Sequence, residues 1–372
     1  MSKLGRSKVL VVANFSADSG TERMASSVLK SMSQEFEVVL IAAETKGLFF
    51  KSISQNISSI CCLSKNSKKG AFYSNAFRIW LQILFFRPCA LLVYNYQLGL
   101  ATGLALRFTP KWFQPKKRVL AHHISVEAVK SDREETGRMK AYFPMFSHHI
   151  VPSEALIPEL KSVVSSLLIK VIPNGLNFDE VLLKSSEFNP YMDKPAKWHC
   201  VYVGGLREDK RIDKLLVYFS KLPERRNVHL TIVGDGDERS KLEVLAKSLG
   251  VHSECSFVGH IENPYPYVAF ADILVQTSDW ETFGLTILEA MLLKTVVLAT
   301  QGYSLGLQDV IQDGVNGRLV AHENEMLFIQ IWSDLLRSEE KRRKLVTQAW
   351  KDAQKFKEKC MSSGYLSLLE CK

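Results

Sequence analysis

Glu281 and Glu289, with seven residues between them, are the acids best placed by type and spacing to hold a long ligand rich in hydroxyl groups. Gly284 lies between them, and a loop can end and a helix can begin at a glycine. Glu281 would then lie in the loop before the helix, and Glu289 about a turn and a half inside it. Two carboxylates at different depths could bind hydroxyl groups at two places on one ligand. The alternative is a pair of ordinary surface acids on an amphipathic helix.

A glycine turn edged with cations stands earlier in the chain. A predicted strand leads into Gly204 and Gly205, and Arg207, Lys210 and Arg211 follow. Cations and backbone N–H groups in this arrangement can hold a diphosphate, both at rest and while a leaving group gathers charge. A solvated first turn of a helix would carry the same residues.

Two weaker patterns follow predicted strands in the first half of the chain. Gly20 precedes a predicted helix, where it would let backbone N–H groups approach a phosphate, although a plain turn glycine explains it equally well. His122 and His123 end another strand and could hydrogen-bond a sugar hydroxyl or a phosphate. No acid or cysteine stands near them at metal-ligand spacing, so a metal site is not predicted, and one of the two is expected to have a structural role.

Asp235 and Asp237 form an Asp-x-Asp pair, which suggests a metal-bound nucleotide sugar. The neighbouring glycines and the position between a strand and a helix favour a turn and a helix N-cap instead. The chain shows no Walker loop, no Gly-x-Ser-x-Gly motif and no zinc-binding pattern. Neither a metal nor a cofactor is predicted.

Strands alternating with helices predict an α/β fold with parallel sheets. The pattern occurs twice, so we predict two doubly wound, Rossmann-like domains at residues 1–175 and 199–345, with a linker at 176–198 and a helical segment at 346–372 that packs back on the first domain. Such domains place a ligand crevice at the carboxyl ends of their strands. A chain of 372 residues is long enough for two cores.

The composition indicates the cellular compartment of the protein and whether it spans a membrane. The seven cysteines are odd in number and lack metal-site spacing, which favours reduced thiols in a cytosolic protein. No signal peptide is predicted. The apolar stretch at residues 79–94 is interrupted by Arg87 and Pro88 and is too short to span a bilayer. A soluble or peripheral membrane protein is therefore expected.

Positive charge is concentrated in the first half. Residues 1–175 carry 23 Lys and Arg against 11 Asp and Glu, and no acid stands between Glu44 and Glu127. Basic and aromatic residues mixed in this way predict contact with an anionic membrane surface or an anionic acceptor. A solvated basic face and a nucleic-acid surface are the alternatives, and no nucleic-acid motif is present. The residues that carry this pattern are Lys65, Lys68, Lys69, Phe72, Tyr73, Phe77, Arg78, Trp80, Phe85, Phe86, Arg87, Lys111, Trp112, Phe113, Lys116, Lys117 and Arg118.

Taken in order, these patterns resemble the retaining glycosyltransferases of family 4, which have the two-domain GT-B fold. The run Glu281–Met291 looks like the family's Glu-x7-Glu motif, and 171–177 looks like its signature at the end of the first domain. Residues 19–23 look like its glycine turn, and 310–320 look like its late loop and strand.

The resemblance implies roles for individual residues. Glu289 would bind the ribose hydroxyls, and Lys210 would hold the diphosphate. Glu281 and His123 would act at the donor sugar and the reaction centre, and with Lys210 they are the predicted catalytic residues. The other predicted donor-binding residues are Gly20, Gly204, Gly205, Arg207, Phe283, Gly284 and Leu285.

The resemblance predicts transfer of a hexosyl group, with retention, from a nucleotide-diphosphate sugar to a hydroxyl. The basic, aromatic first half favours a glycan or lipid-linked glycan as the acceptor, and a soluble acceptor is the alternative. A UDP-sugar is favoured over a GDP-sugar, and the protein would act at the cytoplasmic face of a membrane. The family usually has an arginine where this chain has Gly205, so Arg207 or Arg211 would have to replace it. A catalytically silent binding or scaffold protein and a nucleotide-sugar epimerase of the same fold are the alternatives.

Overall fold

The computed structural model describes residues 6–15, 19–63, 69–123, 125, 132–194 and 196–370. The chain divides into two compact units. Unit 1 comprises Met1–Gly175 and Glu358–Lys372, and unit 2 comprises Leu176–Lys357. Each unit has a parallel β-sheet covered by helices, as the alternating pattern predicts.

The sheet of unit 1 is parallel at every described pair of strands. Its strands are β1 (Lys8–Val12), β2 (Glu37–Ala42), β3 (Ser59–Cys62), β4 (Ala90–Tyr94), β5 (Lys117–Ala121), β6 (His148–Val151) and β7 (Ile169–Val171). They lie in the order β3-β2-β1-β4-β5-β6-β7. The central strands β1 and β4 are almost wholly buried, which explains why the sequence shows continuous apolar runs there.

Helices connect these strands. They are α1 (Gly20–Glu35), α2 (Gly47–Ile53), α3 (Lys69–Phe86), α4 (Tyr96–Phe108), α5 (Arg133–Tyr142) and α6 (Ile157–Val163). Strand β3 and helices α3 and α4 are not predicted from the sequence. The apolar run at 79–94 contains both the end of α3 and all of β4, so it hides the boundary between them. Arg87 separates the two with a left-handed backbone, φ 46°, directly before Pro88. Among the described residues, none of the helices is long and apolar enough to cross a membrane.

Unit 2 repeats the architecture. Its strands are β8 (Trp198–Val203), β9 (Val228–Val233), β10 (Cys255–Gly259), β11 (Ile273–Gln276), β12 (Val296–Gln301) and β13 (Arg318–Ala321). They lie in the order β10-β9-β8-β11-β12-β13, with the described strands parallel. The order reverses between β8 and β11, and ligands of doubly wound sheets bind outside the strand ends at such a point. The helices are α7 (Phe178–Ser185), α8 (Ile212–Ser220), α9 (Arg239–Ser248), α10 (Tyr265–Ala269), α11 (Leu285–Leu292), α12 (Glu325–Arg337) and α13 (Glu339–Ala353).

The boundaries of the units differ from the predicted domains. Segment 176–198, predicted as a linker, belongs to unit 2, where α7 packs against α10. The Tyr191 hydroxyl donates a 2.7 Å hydrogen bond to the carbonyl of Tyr267 and anchors the same segment. Residues 346–357 also stay with unit 2, and only the final helix, α14 (Glu358–Leu369), belongs to unit 1, where it packs against α1.

Candidate active site

Gly284 fixes the start of α11. Its backbone is left-handed, with φ 79°, and a Cβ there would lie 2.8 Å from the Leu307 side chain. Helix α11 begins at Leu285, next to the buried Phe283. This places Glu281 in the loop before the helix and Glu289 within it, as the spacing predicts.

Three side chains meet at Glu281, and we call them the Glu281 cluster: Lys210, Gln276 and Glu281. The Lys210 Nζ lies 2.9 Å from Glu281 Oε2, and the Gln276 Nε2 donates to the same oxygen at 3.0 Å. Gln276 ends β11, so the sheet itself carries one of the donors. The carboxylate is largely shielded from solvent, and its position is fixed from two sides.

Backbone contacts join the loop after β8 to the loop after β11. The Asp279 N–H donates to the carbonyl of Asp209 at 2.9 Å, and the Lys210 Nζ donates to the carbonyl of Trp280 at 3.4 Å. The Thr277 hydroxyl donates to the carbonyl of Arg211 at 2.9 Å. The Glu281 cluster therefore lies on two loops that hold each other in place.

Glu289 lies deeper on α11 and is buried, with 5% of its surface exposed. A buried carboxylate is costly unless it is hydrogen-bonded or paired. Its burial excludes the reading of Glu281 and Glu289 as two ordinary surface acids, because only exposed acids fit that reading.

The glycine turn after β8 packs against the loop after β9. A Cβ at Gly234 would lie 1.9 Å from the carbonyl oxygen of Gly204, and one at Gly236 would lie 2.4 Å from that of Leu206. Side chains at these two positions would force the strand ends apart. The Leu206 N–H also donates to the carbonyl of Asp235 at 2.9 Å.

Gly205 differs from these glycines, because a side chain could be placed there. Its backbone is not left-handed, and the nearest atom to a Cβ would be Nη1 of Arg207, at 3.7 Å. The side chain of Arg207 thus lies beside the Cβ position of residue 205. Sequence reasoning left open whether Arg207 or Arg211 serves this place, and the structure puts Arg207 beside it.

The two arginines have different partners. Arg207 donates from Nε and Nη2 to both carboxylate oxygens of Asp209, at 2.8 and 2.9 Å, and remains largely exposed. Arg211 is held by Asp213 at 2.9 Å and by Asp279 at 3.1 Å. The hydrogen bonds that Arg211 donates to Asp213 are the main cause of the raised pKa of Arg211. Arg211 is therefore held by two carboxylates of the protein, whereas the side chain of Arg207 remains accessible to a ligand.

Asp235 has a local role. It accepts hydrogen bonds from the Gly236 N–H at 2.8 Å and from Arg239 at 2.9 Å, and these contacts lower its pKa. Helix α9 begins at Arg239, so Asp235 belongs to the preceding turn. No group of three potential metal ligands occurs among the described residues.

The two histidines after β5 have separate surroundings. His122 is buried, and its Nε2 lies 2.8 Å from Nδ1 of His149, whose Nε2 donates to the carbonyl of Phe143 at 3.1 Å. Burial lowers the pKa of His123 to about 4, and its ring stacks on Tyr94 with ring centres 5.6 Å apart. His122 takes the structural role that was expected for one of the pair.

Gly20 is the first residue of α1, in unit 1. The helix starts with a capping box in which the Ser19 hydroxyl accepts from the Glu22 N–H, and the Glu22 carboxylate accepts from the Ser19 N–H. The cap occupies one N–H of the first helical turn, so fewer are available to a phosphate than Gly20 alone suggests.

Sequence reasoning missed Gln276 and Asp279. Gln276 ends the strand that precedes Glu281, and Asp279 follows that strand. Polar residues at the carboxyl end of a buried strand are the signal that could have identified them. A cavity of about 400 Å³ opens nearby, with Lys214, Tyr303 and His322 in its wall, but the described lining contains no predicted site residue.

Known proteins resemble this chain in sequence and in fold. Residues 187–352 match the family model of the glycosyl transferases group 1. The lipopolysaccharide core biosynthesis glycosyltransferase LpsE of Rhizobium meliloti is 30% identical over 49% of this chain and 52% of its own length. Curated relatives of 30% identity or more are thus matched over about half of their length or less.

Two further proteins are similar over almost the whole chain. A 4-alpha-N-acetylgalactosaminyltransferase of Campylobacter jejuni, named for a diphospho-undecaprenol-linked substrate, is 22% identical over 91% of this chain and 92% of its own. The crystal structure of Anabaena HepE with UDP and glucose superposes with a TM-score of 0.83, at 18% identity, over 98% of this chain and 99% of that protein. The predicted GT-B fold is confirmed, and the predicted resemblance to the group 1 glycosyl transferases is borne out by the match over residues 187–352.

Proposed function

We propose that this chain is a retaining glycosyltransferase that moves a hexosyl group from a nucleotide-diphosphate sugar, preferably a UDP-sugar, to a hydroxyl of a glycan or lipid-linked glycan. The group 1 match supports the transferase activity. The names of the similar proteins support the substrate classes: LpsE belongs to lipopolysaccharide core biosynthesis, the Campylobacter relative is named for an undecaprenol-linked sugar, and HepE binds UDP and glucose. Surface polysaccharide biosynthesis is the process in which we place this reaction.

The Glu281 cluster is the observation that carries the proposal. It lies after β8 and β11, where the strand order reverses, and it joins a cation, an amide and a carboxylate within hydrogen-bonding distance. The start of α11 adds backbone N–H groups and the positive end of a helix dipole. In the proposed complex a carboxylate holds the sugar, and N–H groups and cations hold the diphosphate. Because the sugar and the diphosphate are bonded to each other, the groups that hold them must lie side by side.

Each group has a role in the proposed reaction. Glu281 orients the hydroxyls of the donor sugar, Glu289 binds the ribose, and Lys210 and Arg207 stabilise the charge that gathers on the departing diphosphate. His123 lies at the end of β5 and is assigned to the sugar by the family resemblance. Phe283, Gly284 and Leu285 supply backbone contacts at the start of α11, and no metal is required.

The proposed reaction needs no side chain of the protein as a general base. The bond from the anomeric carbon to the diphosphate oxygen breaks, and a bond from the same carbon to the acceptor oxygen forms on the same face. The acceptor proton passes to an oxygen of the departing diphosphate. Retention of configuration follows from attack on that face.

We place the protein at the cytoplasmic face of a membrane, where unit 1 contacts anionic lipid. The excess of basic residues over residues 1–175 supports this partner. Of the lysines on which the sequence argument depends, Lys65 and Lys68 lie outside the described residues, as does the side chain of Lys69. The lipid-linked substrate named for the Campylobacter relative also favours a membrane location.

A panel of UDP- and GDP-hexoses tests the proposal. We expect one donor to release its nucleotide when a glycan or lipid-linked acceptor is added, and the product to keep the donor's anomeric configuration in an NMR spectrum. EDTA should leave the rate unchanged. Nucleotide binding without transfer would support a silent binding protein, and an epimerised donor without an acceptor would support an epimerase.

The ribose role is tested with Glu289→Ala and Glu289→Gln. Loss of a charge-assisted contact worth about 1.5–3 kcal/mol should weaken binding of the nucleoside diphosphate about tenfold or more. Glu340→Ala, which changes an exposed acid on α13, is the control. Unchanged affinity in both Glu289 variants, with wild-type circular dichroism, would remove the ribose role.

A further inference from the structure

Helix α3 carries a row of large apolar side chains that face solvent. Tyr73, Phe77, Leu81 and Phe85 are spaced four residues apart, and they are 61%, 58%, 42% and 79% exposed. We call these four residues the α3 ridge. Over 12 residues the ridge extends for about 18 Å along the helix, at a rise of about 1.5 Å per residue.

The ridge is not the face by which α3 packs on unit 1. Ala76, Ile79 and Ile83 are buried, and at about 100° per residue they point away from the ridge. Exposed apolar side chains in a continuous row on a helix mark an interaction surface, whereas isolated ones need no explanation.

Further aromatic and basic groups extend the surface at the end of α3. The Arg87 guanidinium lies 4.6 Å from the ring centre of Phe113, which brings the segment 111–113 next to Arg87, two residues after Phe85 in the chain. Trp112 in that segment is 83% exposed. Arg87, Trp112 and Phe113, three of the residues in the predicted basic and aromatic pattern, thus lie together at the end of α3.

The charge around the ridge is positive. Arg78 and Arg87 are exposed on or beside α3, and the sequence has no acid from Lys46 to Val126. Two described acids of α5 come close to α3: Glu134 and Glu135 form ion pairs with Arg138, whose guanidinium lies over the ring of Phe72. Their negative charge is offset where it approaches α3.

We propose that the α3 ridge inserts into the interface of an anionic bilayer, with α3 lying along the membrane plane. An apolar ridge beside basic groups fits a layer of anionic headgroups above acyl chains, since each part then meets its complement. The inference rests on the membrane partner in the proposed function, and it adds a specific face and a mode of binding: apolar insertion in addition to charge attraction.

The test compares apolar and charge variants of the full chain in vesicle sedimentation. Vesicles of phosphatidylcholine with phosphatidylglycerol serve as the anionic probe, and phosphatidylcholine alone is the reference. We expect the double variant Phe77→Ser/Phe85→Ser to bind anionic vesicles at least tenfold more weakly than wild type, because two aromatic side chains no longer enter the interface. The control Phe270→Ser/Met326→Ser, which changes exposed apolar residues of unit 2, should bind as wild type does.

Salt and fluorescence separate insertion from charge attraction. High salt should weaken wild-type binding but leave part of it, because apolar insertion is not screened. Trp112 emission should be quenched by lipids brominated near the headgroups, and Trp112→Phe identifies its share of the signal.

The possible outcomes are distinct. Equal binding by the ridge variant and wild type would overturn the α3 insertion while leaving a membrane partner in place. Absence of wild-type binding, with a dimer that the ridge variant turns into a monomer, would assign the ridge to a second copy and overturn the proposal. If wild type transfers no sugar to a short glycan acceptor, which needs no membrane, the result would instead contradict the proposed function. The ridge variant should keep that transfer, which also shows that it folds.

Discussion

Glu281 lies among charges that nearly balance before any donor binds. Lys210 and Arg207 are positive, Asp209 and Glu281 are negative, and hydrogen bonds connect them in pairs. A diphosphate adds negative charge next to two carboxylates, so a cation must be free to turn towards it. Arg207 is suited to this, because its pair with Asp209 lies at the surface, where ion pairs are weak and exchange easily.

The contribution of Arg207 can be tested by moving the arginine. Arg207→Ala should lower the affinity for a nucleoside diphosphate about tenfold to a hundredfold, since a charge-assisted contact is worth about 1.5–3 kcal/mol. Affinity for the matching monophosphate should change much less. The double variant Gly205→Arg/Arg207→Ala should recover binding, because a side chain can start from Gly205 once the Arg207 side chain is gone.

Calorimetry with UDP, GDP and their monophosphates measures these affinities. Arg226→Ala, at an exposed arginine of unit 2, is the matched control and should bind as wild type does. If Arg207→Ala still distinguishes diphosphate from monophosphate as wild type does, another group holds the diphosphate. Failure of the double variant to recover would show that position 205 does not lead to the phosphates.

At the scale of elements, the sequence predicted well where the local pattern and the tertiary environment agree. Buried parallel strands such as β1, β4 and β9 appear as apolar runs, and the glycine before α11 marks a helix start that the left-handed Gly284 confirms. Helix α3 was missed because the α3 ridge is apolar on its exposed side, which hides the alternation expected of a surface helix. Contacts between distant segments, such as Gln276 with Glu281 or His122 with His149, depend on strand order, which local patterns do not encode.

The buried pair formed by His122, directly after β5, and His149, in β6, should make unit 1 sensitive to acid. Burial lowers the pKa of His149 to about 4 and holds that of His122 well below its usual value, so both are neutral in the folded state at neutral pH. The unfolded chain takes up protons near pH 6.5, before the folded state does, so stability falls as pH drops from about 6.5 towards 4. A pKa lowered from 6.5 to about 4 corresponds to a loss on the order of 3 kcal/mol at most for His149.

His149→Gln removes one titrating group and keeps an acceptor for His122 and a donor for the carbonyl of Phe143. We expect its melting temperature to fall less steeply than that of wild type between pH 6.5 and 5, as measured by calorimetry. His252→Gln, at an exposed histidine of unit 2, should keep the wild-type slope. Equal slopes in all three proteins would show that this pair does not set the acid sensitivity.

At the scale of the whole molecule, the chain returns to its first unit at the end. Helix α14 contacts α1, β4 and β5, although more than two hundred residues separate it from them along the sequence. Tyr365 is buried there and stacks on Tyr94, and Gly364 fits closely against Ile172. Unit 1 therefore includes α14, which begins at Glu358, whereas the sequence predicted a segment that begins at residue 346.

Tyr365→Ala should accordingly destabilise unit 1 by about 3–5 kcal/mol, because removing a buried aromatic side chain leaves a cavity and removes its contacts. Hydrogen exchange in the full chain should speed up in peptides from β4 and β5, whereas peptides from β9 and β12 in unit 2 should exchange as in wild type. Trp350→Ala, which changes a partly exposed aromatic residue on α13, should leave β4 and β5 unchanged. Faster exchange spread evenly over both units would mean that α14 stabilises the chain as one cooperative body, and no change in β4 and β5 would mean that unit 1 folds without it.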